Sequence, residues 1–175
     1  MNVTVTHTAD LAPATRTAVR ALLDDAFDGD FGDADWDHAL GGTHALAWQD
    51  GALVGHACVV QRPLIHQGRA LRTGYVEAVA VRQDHRRRGV GAAVMAPLER
   101  VIRGAYDLGA LASSEMAIPF YAARGWRLWQ GPTWVLTPDG VTRTEDDDGG
   151  VYVLPVTGVD VTKDLTCDWR DGDVW

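Results

Sequence analysis

Hydrophobic and polar residues change their spacing along the N-terminal part of the chain. Residues 3–7 read VTVTH, an alternation typical of a β-strand with one buried face. Over residues 12–27 the apolar side chains recur on one face of a helix, and Pro13 falls in the first turn, where its missing N–H costs little. A second, short helix is expected to start with Asp33 as its cap and to run to about Leu40. The side chains that give the first helix its apolar face are Leu11, Val19, Leu22, Leu23 and Phe27.

The next part of the chain predicts a meander of three strands. Residues 43–49 and 52–60 are rich in apolar and β-branched side chains and flank the dipeptide Asp50-Gly51, which is a strong hairpin signal. A second turn at Gln67-Gly68 leads into the largely apolar residues 71–81. Each strand is therefore expected to pair with the one before it.

Short elements fill the second half of the chain. Helical spacing resumes over residues 90–106, and Pro119 must lie in the first turn of a later helix because it has no N–H. No repeat, linker or low-complexity segment divides the sequence, so a single α/β domain over residues 1–175 is predicted. The other predicted elements are strands at 108–112, 126–130, 134–136 and 151–154 and a short helix at 117–124 that starts near 116–118.

The composition is that of a globular protein with an acidic surface. Of the 175 residues, 46% are hydrophobic and 23% are charged, and the formal net charge is −8. A chain of this length can bury a core of its own. The negative charge argues against nucleic acid, whose phosphates need Lys and Arg for neutralisation, and it suits a cationic ligand.

Membrane spans, disulfides and metal sites are not expected. No apolar run reaches the roughly 18 residues of a membrane span, and the opening MNVTVTHTAD lacks the basic and apolar regions of a secretory signal, so we expect a cytoplasmic protein. Cys58 and Cys167 lie in different segments, and the six histidines form no ligand pattern. The acidic run at 146–150 lacks the Glu that a calcium loop needs at its twelfth position.

The main site signal is a basic, glycine-rich loop between an apolar strand and a helix. Residues 75–81 read YVEAVAV and are followed by RQDHRRRGVG at 82–91. A helix N-terminus offers unpaired N–H groups and a partial positive charge, and Gly89 and Gly91 let this backbone approach a phosphate closely. Neither of the two commonest phosphate-loop patterns is present. A solvated arginine loop before an ordinary helix is the alternative interpretation.

The spacing Arg86-x-x-Gly89-x-Gly91 resembles the R/Q-x-x-G-x-G/A loop of the GNAT superfamily of acyl-CoA N-acyltransferases, and the order of strands and helices around it matches. The resemblance implies the GNAT α/β fold, a mixed central sheet flanked by helices, with acetyl-CoA as the cofactor. It also implies that the loop binds the pyrophosphate and that the preceding strand pairs with the pantetheine arm. The cofactor-binding residues implied are Val79, Ala80, Val81, Arg86, Arg87, Arg88, Gly89, Val90, Gly91 and Ala92.

Glu77 is the candidate general base. Acetyl transfer needs a neutral amine, and alkylammonium groups are mostly protonated at neutral pH, so a group that removes the proton directly or through water is required. A carboxylate in the otherwise apolar strand is costly unless it is paired, hydrogen-bonded or wet. An ion pair with Arg72 or Arg82 is the alternative explanation.

Tyr121 is the candidate general acid. The segment FYAARGW at 120–126 resembles the F/L-Y-x-x-x-G-F/W segment of the superfamily, in which the tyrosine faces the thiol of coenzyme A. The alternative is a core tyrosine that packs beside Trp126.

A narrower resemblance covers residues 8–175. The segments DWDHALGGTHAL, LRTGYVEAVAVR, RGAYDLGAL, DDDG and CDWRDGDVW look like those of the aminoglycoside 2′-N-acetyltransferases, which acetylate the 2′-amine of these antibiotics. Carboxylates suit such ligands because they accept charge-assisted hydrogen bonds from ammonium and hydroxyl groups. Trp175 is expected to dock against the protein and to present its α-carboxylate to the substrate. The substrate-binding residues implied are Asp35, Glu77, Ala78, Ala112, Ser113, Asp146, Asp147, Asp173 and Trp175.

Some positions and functions stay open. Ala112 stands where this family can carry a serine, so only its backbone could serve, and Pro119 is also unusual. An acidic site would equally suit a GNAT enzyme that acetylates a polyamine or a protein N-terminus, or a non-catalytic protein that binds cationic drugs or coenzyme A. The habit of the superfamily suggests a homodimer.

Overall fold

The computed structural model describes all of residues 1–175. None of its helices combines the length and the apolarity that a bilayer crossing needs. The helices are Pro13–Ala26 (α1), Asp33–Ala39 (α2), Val90–Ala105 (α3) and Ile118–Ala122 (α4). The strands are Asn2–His7 (β1), Thr43–Gln49 (β2), Ala52–His66 (β3), Arg69–Val81 (β4), Leu108–Ala112 (β5), Arg127–Leu128 (β6), Thr133–Thr137 (β7), Gly140–Arg143 (β8), Val151–Pro155 (β9) and Leu165–Asp168 (β10).

The chain forms two compact units. The first contains Met1–Val60 and Val76–Val101, and the second contains Gln61–Tyr75 and Ile102–Trp175. β3, β4 and α3 each contribute residues to both units. The single domain expected over residues 1–175 stays a prediction.

The first unit holds the meander that the sequence predicts, with β2 between β1 and β3 and with β4 beside β3. β1 pairs antiparallel with β2, and β2 pairs antiparallel with β3. Asp50 and Gly51 turn the chain between β2 and β3 with positive φ angles of 51° and 79°, as a two-residue hairpin turn requires. The face of α1 that carries Val19 and Leu23 packs against apolar residues of the strands and forms a core. Phe27, predicted to share this face, follows the last turn of α1 and is 41% exposed.

The second unit holds a mixed sheet in the order β6-β9-β5-β4-β3-β10-β7-β8. β5 lies parallel to β4, and β9 pairs antiparallel with β5. β10 lies between β3, with which it is antiparallel, and β7, with which it is parallel.

Several predicted boundaries differ from those observed. β3 continues to His66 instead of ending at residue 60, the strand expected at 126–130 is reduced to Arg127–Leu128, and β8 and β10 were not predicted. The short helix starts at Ile118 with Pro119 in its first turn, as expected.

Asp33 is not the cap of α2. Gly32 occupies that position, and the carboxylate of Asp35 accepts its backbone N–H at 2.8 Å. Asp33 instead accepts a hydrogen bond from Arg20 at 2.9 Å. The prediction was wrong because an acidic residue three positions into a helix can satisfy the same N–H from within the helix.

A close backbone approach fixes the segment that leads into β10. The N–H groups of Gln130 and Gly131 both donate to the carbonyl of Val161 at 2.9 Å. A Cβ on Gly131 would lie only 2.1 Å from the carbonyl oxygen of Lys163. Only glycine therefore allows this contact between two stretches of backbone.

We predict that Gly131→Ala destabilises the fold by about 1–3 kcal/mol, because a methyl group placed against backbone forces the two segments apart. For a protein of this size, each kcal/mol lowers Tm by about 2–4 °C, which calorimetry resolves. Gly158→Ala is the matched control, because no atom lies within 4 Å of its Cβ position. Equal Tm values for the two variants would contradict the prediction.

Candidate functional site

The strand that carries the candidate base has an irregular backbone. Ala78 in β4 has φ 52°, a left-handed conformation that is unusual for a residue with a side chain. Glu77 and Val79 flank it and are half-buried. The irregularity therefore lies between the candidate base and the stretch expected to pair with the pantetheine arm.

Glu77 lies beside a buried thiol in the first unit. Burial, and next the charge of Glu77, raise the pKa of Cys58. The two arginines proposed as alternative partners bind other carboxylates. Arg82 donates to Asp84 at 2.7 Å, and Arg72 lies 3.8 Å from Asp107. Both arginines therefore have acidic partners other than Glu77.

The loop before α3 exposes backbone donors. Gly89 has φ 82° and accepts the first helical hydrogen bond, from the N–H of Ala93 at 3.0 Å. The N–H groups of residues 90–92 therefore precede the helical ladder, as in an anion-binding helix start. Gly55 in β3 allows α3 to begin close to the sheet, because a Cβ there would lie 2.5 Å from a methyl group of Val90.

The arginines of the loop differ in their environments. Arg86 donates to the carbonyl of Val81 at 3.3 Å, which turns its side chain back on the strand. Arg87 and Arg88 are exposed. The hydrogen bond from Arg82 lowers the pKa of Asp84 well below its usual range. The start of α3 thus presents exposed cationic side chains together with unpaired amides.

Tyr121 is buried in the second unit and 5% exposed. Its ring contacts Trp126 with 6.0 Å between the ring centroids, as in the core interpretation. Burial raises the pKa of Tyr121 to about 12, so its hydroxyl keeps its proton at neutral pH. A protonated phenol can donate a hydrogen bond, which the role of general acid requires.

Asp147 and Asp173, two of the predicted substrate-binding residues, form an acidic cluster in the second unit. Burial, and next the charge of Asp173, raise the pKa of Asp147. A carboxylate whose pKa is raised by a neighbouring carboxylate suits a cationic ligand, because the charge of the ligand relieves the repulsion. Thr144 hydrogen-bonds Asp147 and also accepts the indole N–H of Trp175 at 3.0 Å. The structure therefore brings Asp147, Asp173 and Trp175 together.

Two arginines that the sequence interpretation missed hold the last residues. Arg62 is 4% exposed and donates to the carbonyl of Val174 at 2.8 Å. Arg170 donates to the carbonyl of Asp173 at 2.7 Å and to the main-chain oxygen of Trp175 at 3.1 Å. Trp175 is 5% exposed, which confirms that it docks. A charged residue inside a long apolar strand was the signal that could have identified Arg62.

The other predicted substrate-binding residues lie at element ends and turns. Asp35 uses one carboxylate oxygen on the Gly32 N–H, as described above. Ala112 ends β5 and is exposed, and Ser113 donates its N–H to Gly150 at 2.9 Å. Asp146 lies in an exposed turn next to Asp147. The ligand roles of these residues stay predictions.

Comparison with known proteins decides the family. A model of the acetyltransferase (GNAT) family matches residues 12–126. The chain belongs to the GNAT family of acetyltransferases. It is also 57% identical over 174 residues to an aminoglycoside 2′-N-acetyltransferase from Mycolicibacterium fortuitum, an alignment that covers 97% of this chain and 89% of that protein. Both resemblances noted in the sequence are thereby confirmed, as is the prediction of an enzyme of the acetyltransferase class.

Solved structures of GNAT proteins share the fold. Escherichia coli ElaA superposes with a TM-score of 0.61 at 18% identity, covering 87% of this chain and 97% of that one. The ribosomal-protein-S18-alanine N-acetyltransferase of Escherichia coli gives a TM-score of 0.59 at 18% identity, covering 91% and 97%. The predicted α/β fold class is confirmed.

The acidic cluster yields a prediction about proton affinity. Asp173→Asn should move the pKa of Asp147 down towards its ordinary value, because one cause of its raised pKa is removed. A pKa raised by folding means that ionisation opposes folding, so this stability is present at low pH and lost as the pH rises through the raised pKa. The variant should therefore gain stability over the unmodified protein at neutral pH and not at low pH.

The measurement is a carboxyl NMR titration of Asp147 together with denaturant unfolding at both pH values. Asp139→Asn removes an exposed carboxylate from the turn between β7 and β8 and is the control. A pKa of Asp147 that moves equally in the two variants would show that the effect is not specific to Asp173.

Proposed function

We propose that this GNAT-family protein transfers the acetyl group of acetyl-CoA to the 2′-amine of aminoglycoside antibiotics and so gives resistance to them. The observation that carries the proposal is the 57% identity, over 97% of the chain, with a protein of that name. The close pair of Asp147 and Asp173 adds physical support, since aminoglycosides carry several ammonium groups.

The residues present fit acetyl-CoA. The amides of residues 90–92 and the cationic side chains of Arg87 and Arg88 suit the pyrophosphate and the 3′-phosphate. Val79–Val81 offers strand backbone to the pantetheine arm. The full set of cofactor-binding residues proposed is the one predicted from the sequence. When bound, acetyl-CoA supplies the acetyl thioester.

The protein provides charge and proton transfer for the reaction. Asp147 and Asp173, together with Trp175, bind ammonium and hydroxyl groups of the acceptor in this proposal. Glu77 takes the proton of the 2′-ammonium through its carboxylate, directly or by way of water. The hydroxyl of Tyr121 donates to the sulfur that leaves. The remaining acceptor contacts proposed are Asp35, Ala78, Ala112, Ser113 and Asp146.

A cytoplasmic location and a homodimer complete the proposal. Acetyl-CoA is made inside cells, so an enzyme that consumes it works there. The dimer rests on the habit of the superfamily alone, and light scattering of the purified protein tests it.

The proposal predicts that aminoglycosides stimulate thiol release from acetyl-CoA only when they carry a 2′-amine. The test is a matched pair of aminoglycosides that differ in an amine or a hydroxyl at that position, with mass spectrometry and NMR to locate the acetyl group. A polyamine and an N-terminal peptide are the comparison acceptors. Preference for either of these over the 2′-amine would replace the proposed substrate, and coenzyme A binding without turnover would favour a non-catalytic binder.

We predict that Glu77→Gln lowers kcat at neutral pH by about 10²-fold or more, as loss of a positioned base does. The amide keeps the size of the side chain and removes its proton affinity. The loss should shrink as the pH approaches the pKa of the acceptor amine, because the neutral amine then forms without help. Calorimetric affinity for acetyl-CoA is the control and should not change. Near-normal turnover from about pH 6 to pH 9 would remove Glu77 from the mechanism.

A further inference from the structure

A buried chain of hydrogen bonds leads to the irregular residue of β4. Thr8 Oγ1 lies 2.7 Å from Nε2 of His44, and Nδ1 of His44 lies 2.9 Å from Nε2 of His56. Nδ1 of His56 lies 2.8 Å from the carbonyl oxygen of Ala78. Both imidazoles are 0% exposed, and Thr8 is 8% exposed. We call these four residues the histidine relay.

The endpoint fixes the direction of every hydrogen bond in the relay. A carbonyl only accepts, so Nδ1 of His56 carries the proton. Burial lowers the pKa of His56 to about 3 and that of His44 to about 4, so both rings are neutral and each has one donor. Nε2 of His56 therefore accepts from Nδ1 of His44, and Nε2 of His44 accepts from the hydroxyl of Thr8. The backbone N–H of Gly42 donates to that hydroxyl at 3.1 Å and completes the series.

The relay ends where the strand needs support. A left-handed conformation is strained at a residue with a side chain and persists only where the surroundings stabilise it. Ala78 has this conformation, and its carbonyl accepts a hydrogen bond from Nδ1 of His56. A partly buried carbonyl left without a partner would add a further cost. The bond from His56 thus favours the irregular backbone over a regular strand.

We infer that His56, oriented by His44 and Thr8, is a positioning residue for acetyl transfer: it holds the Ala78 carbonyl and thereby sets the backbone that carries Glu77 and Val79. The inference rests on the proposed function, in which Glu77 is the base and residues 79–81 bind the cofactor. His56 acts on the reaction only through this backbone.

The test compares two replacements of His56. His56→Leu keeps an apolar volume and removes the donor, whereas the amide nitrogen of His56→Asn can occupy nearly the position of Nδ1. His56→Leu should lower kcat about 10- to 100-fold, the size of effect that a misplacement of about 1 Å produces. His56→Asn should recover most of the loss, and the KM for the aminoglycoside should change less than threefold in both variants. His66→Leu, which removes another buried histidine (5% exposed), is the matched control and should keep its kcat.

A second background tests whether the effect passes through Ala78. Glycine adopts positive φ without strain, so the loss from His56→Leu should be smaller in an Ala78→Gly protein than in the unmodified one. Equal losses in the two backgrounds, or equal losses in His56→Leu and His56→Asn, would overturn the inference.

The tautomers of the histidines and the activity of the unmodified protein separate the possible outcomes. Nitrogen NMR of the unmodified protein should show both relay histidines as neutral Nδ1–H tautomers around neutral pH, and an Nε2–H tautomer of His56 would overturn the inference even if the leucine variant did not fold. An unmodified protein that fails to acetylate aminoglycosides would refute the proposed function instead. A folded His56→Leu variant with full kcat, beside an active unmodified protein, would refute the positioning role alone.

Discussion

A residue with a side chain and a positive φ in the middle of a strand persists only where its surroundings hold it, and in β4 this residue is Ala78. Its conformation interrupts the alternation of the strand between Glu77 and Val79, so it sets the direction of the candidate base and of the backbone proposed for cofactor binding. The supporting hydrogen bond comes from His56 on the neighbouring strand. The buried neutral imidazoles of His44 and His56 are unusual in a protein core, because apolar side chains cost less to bury.

The fold could be predicted from the sequence wherever local chemistry decides the structure. Asp50-Gly51 and Gln67-Gly68 predict the turns of the meander, and both pairs have the positive φ angles that such turns need. β8 and β10 could not be predicted in this way. β8 is short and exposed, and Leu165–Asp168 pairs with strands that lie far away in sequence, so no nearby pattern marks it.

In the candidate site too, the residues of local motifs could be predicted and the long-range contacts could not. Motifs located both Trp175 and the loop before α3, because each belongs to a short run of consecutive residues with a recognisable pattern. The hydrogen bond between His44 and His56 could not be predicted, because it depends on a one-residue shift of register between Ala47 and Trp48. Without that shift the two side chains would point to opposite faces of the hairpin. A bulge of this kind is decided by packing and leaves no local signal.

The place of β10 in the sheet has a consequence for how the protein forms. This strand fits between β3 and β7 and pairs Leu165 with His66, which lies more than half of the chain length earlier in the sequence. During synthesis β3 and β7 are complete before their shared neighbour leaves the ribosome, and until then the edges that will pair with β10 have no partner strand. Pairing over such sequence distances is slow, so the nascent protein passes through a period in which these edges can bind other chains. The residues that close the sheet lie just before Trp175 in the sequence, so the terminal tryptophan reaches its buried position only as the sheet is completed.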